Sequence, residues 1–362
     1  MSALGAVVPR RNQWHRVFVA IGIFAGIIAV LPIVGALIAA VIGSDSGART
    51  AFASAPPGNY AVYSTAGDTT DQIRVASSTH PETTVFIAEV SHLPGFFARG
   101  AVSPDGKQLA LVVADGGTQA APEASLLVVD LETGKRTRAA TGIDYLQTPL
   151  WEPDSDGVLV VDTVEEGISL LRSDAGGGTA AHIRTYDATG FYPVGFNGDG
   201  ALVSILLDGR GSTAVVDGEE VALLSPSITR DWELSPDGTR IAFIETDMSS
   251  GVNYLPRIVS LASARVSAMA ATADGQGLGV AWSPATGEPS FGLEPGSSGG
   301  VSAQSTGFDV PLAYSGDGSA LAVTHWTGAS FASPGDARFE LLTPSGRTEL
   351  AGATRFFGWS AR

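Results

Sequence analysis

The sequence predicts an all-β chain: a seven-bladed β-propeller, with six or eight blades as the neighbouring counts, closed by its N- and C-terminal strands and preceded by one transmembrane helix. Three observations carry that prediction. A turn of the type Ser-Pro-Asp-Gly returns between pairs of short apolar runs, its copies start 32 to 49 residues apart, and residues 17–42 hold no charge. Pro presets φ, Asp bonds its own backbone and Gly accepts φ > 0, so each copy reads as a hairpin turn.

Residues 1–16 carry Arg10, Arg11 and Arg16, and no acidic residue precedes Asp45. The 26 residues from Val17 to Ile42 would extend about 39 Å as a helix, against a hydrocarbon core of ~30 Å. The apolar core of a secretory leader is only about 7–15 residues long, so 17–43 reads as an uncleaved signal anchor in the cell membrane. The positive-inside rule then places residues 1–16 in the cytoplasm and everything after the span outside it. Gly22 and Gly26 have the small-xxx-small spacing that supports weak helix–helix self-association, and Pro32 kinks the span. Residues 44–58 are small, polar and Pro/Gly-containing, and read as a linker.

From Asn59 onward short alternating or apolar runs are bounded by Gly, Pro, Asp or Ser, with no sustained 3.6-residue period. The residue before each turn is apolar or aromatic: Val102, Trp151, Phe196, Leu234, Trp282, Tyr314 and Trp359. The turns begin at Ser103, Glu152, Asn197, Ser235, Ser283, Ser315 and Ser360, at intervals of 49, 45, 38, 48, 32 and 45 residues. Four-stranded units with that period build a propeller. The last copy has nothing after it, while strand-like runs at 60–64, 72–77 and 84–90 lack a first strand of their own. Joining them makes a composite blade with the C-terminal strand innermost, which removes the free sheet edges.

The pattern Φ-Ser-Pro-Asp-Gly-x-x-Φ-Ala-Φ resembles the WD40-like Pro-Asp repeat of TolB-type propellers, and is similar to the propeller of prolyl oligopeptidases. The resemblance extends over 59–362 and implies the fold rather than an activity. Prolyl oligopeptidase chemistry also needs a hydrolase domain, for which 362 residues leave no room.

Composition narrows the function. There is no Cys, which excludes disulfides and thiolate chemistry, and the net charge is −16. From residue 45 on, 18 Lys and Arg face 37 Asp and Glu, so no basic footprint for nucleic acid exists. The acidity keeps the surface solvated, or marks adaptation to high salt.

With the turns on one rim, the segments entering the first strands line the other rim and the channel mouth. They carry Phe96, Phe97, Tyr145, Phe191, Tyr192, Phe308, Phe356 and Phe357. Such a ring of aromatics suits a peptide or sugar, or else packs between blades. Glu152, Asp154 and Asp156 lack the later ligands of a calcium loop and read as an acidic turn. Gly296-Ser297-Ser298-Gly299-Gly300 matches G-x-S-x-G but lies in a Gly/Ser loop, not on a strand-to-helix elbow. No two histidines have helical ligand spacing. No catalytic residue, metal or cofactor is therefore expected. The expected function is a protein- or ligand-binding scaffold module of the cell envelope with an envelope protein or peptide partner; the alternative is a propeller-type hydrolase or lyase acting on carbohydrate or lactone substrates.

Overall fold

The computed structural model describes residues 50–249, 251–269, 276–295 and 306–362, and residues 47–362 form one compact unit. Among the described residues no helix is long and apolar enough to cross a membrane. The span expected over 17–42, with Gly22 and Gly26, lies outside the described residues, as do Gly296 to Gly300.

Among the described residues the chain is a β-propeller with six four-stranded blades and one two-stranded sheet. Five blades are built from consecutive strands, beginning at Arg99, Leu150, Gly190, Ile228 and Phe308. The two-stranded sheet, Gly277–Trp282 with Pro289–Leu293, falls between the Ile228 and Phe308 blades in sequence. Among the described residues six blades are complete against the seven expected, and the short 32-residue interval of the sequence falls at the two-stranded sheet.

The composite blade forms as expected. Arg355–Ala361 pairs antiparallel with Asn59–Ala66, Ala61 opposite Trp359, and Thr70–Ser77 and Thr84–Ser91 complete the sheet. Each first strand ends at or beside the residue that precedes its turn. The turn glycines Gly106, Gly200, Gly238 and Gly318 all have φ between 69° and 80°, the left-handed conformation that only Gly adopts freely.

The continuous apolar runs follow from burial on both faces. In the strand Gln108–Thr118, Leu109, Leu111 and Val113 pack into a core with Val62, Ile73 and Val75 of the composite blade. Ala110 and Val112 point the other way, into a core with Trp151, Val158 and Val160 of the next blade. Alternate side chains of one strand therefore bury against two neighbours, which is what a blade between blades requires. Pro193 and Pro311 lie in first strands, whose outer edge faces the channel, so they remove no ladder donor from the sheet interior.

Tryptophans before the turns latch neighbouring blades. Trp151 Nε1 donates to Ala101 O, Trp282 Nε1 to Glu233 O and Trp359 Nε1 to Ala313 O, at 2.8, 3.0 and 3.0 Å. Each acceptor stands two residues before the turn of another sheet. The apolar position of the repeat is thus also an inter-blade hydrogen-bond position wherever it is Trp.

The linker expected over 44–58 is, from Thr50 on, fixed to the propeller. Thr50 N donates to Glu132 O at 2.7 Å, Phe52 is 2% exposed within the first core, and the Arg362 guanidinium stands 5.0 Å over its ring. The local reason is Phe52 itself, one apolar residue in a polar stretch, held edge-on to Tyr60.

Because strands alternate in direction, every first strand starts on one rim and ends on the other. The Ser-Pro-Asp-Gly turns, residues 130–136 and the chain entry at Thr50 share the turn rim; Leu131 N bonds Lys107 O there. Residues 91–99, 143–150 and the start of Arg355–Ala361 share the opposite mouth rim.

Candidate functional site

The mouth-rim loop after the strand Thr84–Ser91 is held by backbone bonds. His92 N donates to Thr69 O and Leu93 N to Ala114 O, at 2.8 and 2.7 Å, and Gly95, at φ 82°, turns the chain back. Phe96, Phe97, Ala98 and Arg99 follow, the last opening a first strand. Tyr145 arrives from the next mouth loop. Its hydroxyl donates to Phe97 O at 2.7 Å and accepts from Phe97 N at 2.9 Å, and Phe96 packs edge-on to its ring at 5.0 Å.

Two cations stand on these rings. The Arg99 guanidinium lies 5.4 Å over Tyr145, and that of Arg355, first residue of the C-terminal strand, 4.9 Å over Phe97. Such placements are attractive on their own. Among the described residues neither guanidinium forms a salt bridge, and Arg99 Nε is buried without a hydrogen bond. Arg355 is solvent-exposed yet hemmed in: burial first, then the like charge of Arg99, hold its guanidinium below the ordinary value.

Beneath the loop lie Asp71 and His92, both side chains fully buried. Asp71 Oδ2 accepts Ala98 N–H at 2.7 Å, whereas Oδ1 is without a partner. Burial pushes its carboxyl up, opposed by the Ala98 N–H and by the positive fields of His92 and Arg355. His92 Nδ1 meets Leu93 O at 2.9 Å, which assigns its proton there. Nε2 then faces Asp71 Oδ1 at 3.9 Å as a second acceptor without a donor. The two facing atoms need a proton between them, on the carboxyl or on the imidazole, or a bridging O–H group.

The other aromatics expected on the rim divide. Phe191 is 0% exposed and stacked on Tyr186, ring centroids 3.9 Å apart; Phe308 is 2% exposed and edge-on to Phe331. Both are core residues, as is Phe357. Phe356 packs edge-on to Trp359 against a core shared with Tyr63 and Leu341. Tyr192 lies against Trp232, and burial first, then Asp144, push its phenol up. The structure therefore gathers Phe96, Phe97 and Tyr145 into one cluster, leaves Phe191, Tyr192 and Phe356 in packing between blades, and packs Phe308 within its own blade. The residues that sequence reasoning missed are Arg99, Arg355, Asp71 and His92. A signal existed for the arginines, since each directly borders a flagged aromatic segment in an acidic chain; for Asp71 and His92 there was none.

The acidic motifs settle into structure. Glu152 is bridged by Arg172 at 2.8 Å, and Asp154 Oδ1 accepts from Asp156 N within its own turn. Asp309, His325 and Glu340 come within 4.8 Å of one another, the spacing of a cation site. The positive charge among them is the guanidinium of Arg347, 2.6 Å from Asp309 Oδ2 and bonded to Glu340.

Sequence comparison places this architecture. The model of the lipoprotein LpqB β-propeller domain matches residues 84–284, more than half of the chain. The chain belongs to the lipoprotein LpqB β-propeller domain family. No curated protein matches it. Solved structures similar to this LpqB-type propeller include TolB from Acinetobacter baumannii, at 17% identity and a TM-score of 0.50, covering 72% of this chain and 62% of that one. The β-propeller domain of the Trilobed protease from Pyrococcus furiosus aligns at 13% identity and a TM-score of 0.50, over 80% of this chain and 96% of that one. That domain is described as having an open velcro topology; in this LpqB-type propeller the terminal strands pair and close the ring. The TolB likeness bears out the expected TolB-type family at the level of fold.

Proposed function

We propose that the chain is an extracytoplasmic scaffold of the cell envelope, anchored by residues 17–42, whose seven-bladed propeller over 59–362 binds a protein or peptide partner on the mouth rim. The observation that carries this reading is the Phe96–Phe97–Tyr145 cluster with Arg99 and Arg355. It is rigidly held by backbone bonds, yet it keeps two cations, the exposed Arg355 and the half-buried Arg99, without carboxylate partners among the described residues in a strongly acidic chain. Pre-organised aromatics and arginines are the residue types that dominate binding at interfaces. The lipoprotein LpqB family and the TolB neighbour support an envelope setting. Anchorage rests on the uncharged run and the arginine asymmetry of the sequence. The seventh blade is supported by the two-stranded sheet, which keeps both the turn at Ser283 and the Trp282 latch. Thr50, where the described chain begins, lies on the turn rim, opposite the mouth cluster.

Site-specific photo-crosslinking in cells tests the reading. A crosslinking residue at Phe96 or Leu146 on the mouth rim is expected to give a discrete adduct that one at Lys107 on the turn rim does not. Adducts that are identical from both rims, or absent from the mouth rim, would remove the partner-binding reading. Reporter fusions after residue 362 are expected to be active outside the cytoplasm; activity only inside would overturn the anchored topology.

A further inference from the structure

The mouth cluster has a charge pattern that folding alone does not explain. Several arginines of this chain are answered by carboxylates, Arg138 by Asp115, Arg172 by Glu152, Arg257 by Glu245 and Arg347 by Asp309, at 2.6 to 2.8 Å, whereas others, such as Arg74 and Arg136, bond neutral oxygens. Arg99 and Arg355 instead repel each other and rest on ring faces; Arg355 Nη1 donates to Thr354 O at 2.8 Å, and among the described residues neither guanidinium meets a carboxylate. Planar guanidinium forks pair bidentately with carboxylate or phosphate. The buried Asp71 carboxyl below offsets part of the positive field at Arg355, which suits a monoanion better than a phosphate dianion. Beside the pair, Phe96 is half-buried and Leu146 is 60% exposed on the adjoining loop, an apolar shoulder next to the cations.

We infer that Arg99 and Arg355 clamp a carboxylate of a bound polypeptide, with the Phe97 and Tyr145 rings supporting the two guanidinium planes and Phe96 and Leu146 taking an adjacent apolar side chain. This rests on the mouth rim being the binding surface and adds the chemistry recognised there. An incoming carboxylate relieves the like-charge repulsion and satisfies donors that the fold leaves open, so affinity is built from groups already in place.

The test uses the full-length chain with an N-acetylated random tetrapeptide pool, once with free C-termini, once amidated, and once amidated with Glu fixed at the last position. Binding is read by ligand-observed NMR. Retention of the free-acid pool and not of the plain amidated pool is expected, and Arg99→Gln and Arg355→Gln should each weaken it about tenfold or more. Arg355→Lys, which keeps the charge but loses the fork, should fall between. If the Glu pool binds as well as the free-acid pool, the source is any carboxylate; if it does not, the source is the chain terminus. Equal binding of acid and amide pools, no binding of the acid pool, or binding unchanged in both glutamine variants overturns the clamp. A crosslinked partner at Phe96 that survives Arg355→Gln would sink the clamp alone and leave the binding rim standing. Unfolding midpoints measured for each variant separate lost recognition from lost folding.

Discussion

The two rims of the propeller are built from the same repeat and have opposite polar economies. On the turn rim the Ser and Asp side chains of the repeat are answered locally, although Gln108 Oε1 beside the first turn is buried without a partner. Ser103 Oγ donates to Asp105 Oδ1 at 2.6 Å, the same oxygen accepts Lys107 N, and Ser103 Oγ accepts Gln108 N. The pattern recurs at Ser235 with Asp237 and at Ser315 with Asp317, where hydrogen bonds hold both carboxyls down at about 2. At the mouth, Asp71 Oδ1, His92 Nε2 and Arg99 Nε are buried without partners. A satisfied rim stabilises the fold, whereas a rim with open donors has capacity left for a ligand.

The comparison breaks most easily at the turn glycines. Gly238 has φ 69°, and a Cβ there would stand 2.6 Å from Asn197 Cα of the preceding blade's turn. Gly238→Ala combines left-handed strain with a backbone overlap that no side-chain rotation relieves. We expect a loss of roughly 2–3 kcal/mol in urea unfolding. A variant as stable as the parent would mean that the turns do not set the contact between blades.

A second test uses pH, because two carboxyls near one turn have opposite slopes. Glu233, at the end of its first strand, is pushed up to about 8 by burial and then by Asp231. A raised pKa contributes stability that is complete below the unfolded value of about 4.5 and lost as pH rises to about 8. Glu233→Gln should therefore equal the parent at pH 4 and exceed it at pH 8, by on the order of 1–2 kcal/mol after allowing for water at a half-exposed side chain. Asp237 behaves in reverse. Its contribution is present above about 3.8 and lost as pH falls toward about 2. Thermal unfolding of the parent, Glu233→Gln and Asp237→Asn from pH 2 to 9 separates the two; parallel curves would contradict both assignments.

How much of this was legible in sequence follows from what each feature depends on. The turns, the first-strand ends at Val102, Trp151 or Leu234, and the closure by Arg355–Ala361 rest on local chemistry and on a repeat, so they can be read along the chain. The fate of Phe191 and Phe308, at the very start of first strands, depends on which face a neighbouring element covers, and period-2 reasoning does not fix that at a strand's first residues. Phe52 was lost inside a polar composition, although it docks the chain entry. The mouth site joins Asp71, His92, Arg99, Tyr145 and Arg355 from three blades, one of them closed by the far end of the chain. Only the closed ring brings Arg355 onto Phe97.

Smaller effects sharpen the contrast. Asp105→Ala removes the acceptor of both Ser103 Oγ and Lys107 N. We expect about 1 kcal/mol of lost stability with peptide retention at the mouth unchanged, as an unfolding titration and the NMR assay would read.

The smallest change in stability is expected where the largest change in binding is expected. Arg355→Gln deletes a charge that forms no ion pair among the described residues, and removes its repulsion with Arg99. What it gives up is the cation–π contact with Phe97, 4.9 Å away, worth about 0.5–1 kcal/mol at an exposed site, and an exposed bond from Nη1 to Thr354 O, which Gln can replace with water. The relief of like charge acts in the opposite direction, so the net shift should stay within about 0.5 kcal/mol of zero. Added salt should narrow even that difference, because it screens the repulsion in the parent and finds less to screen in the variant. A loss of several kcal/mol would place Arg355 among the structural residues of the composite blade, and the mouth would then be satisfied in a way its open donors do not reveal.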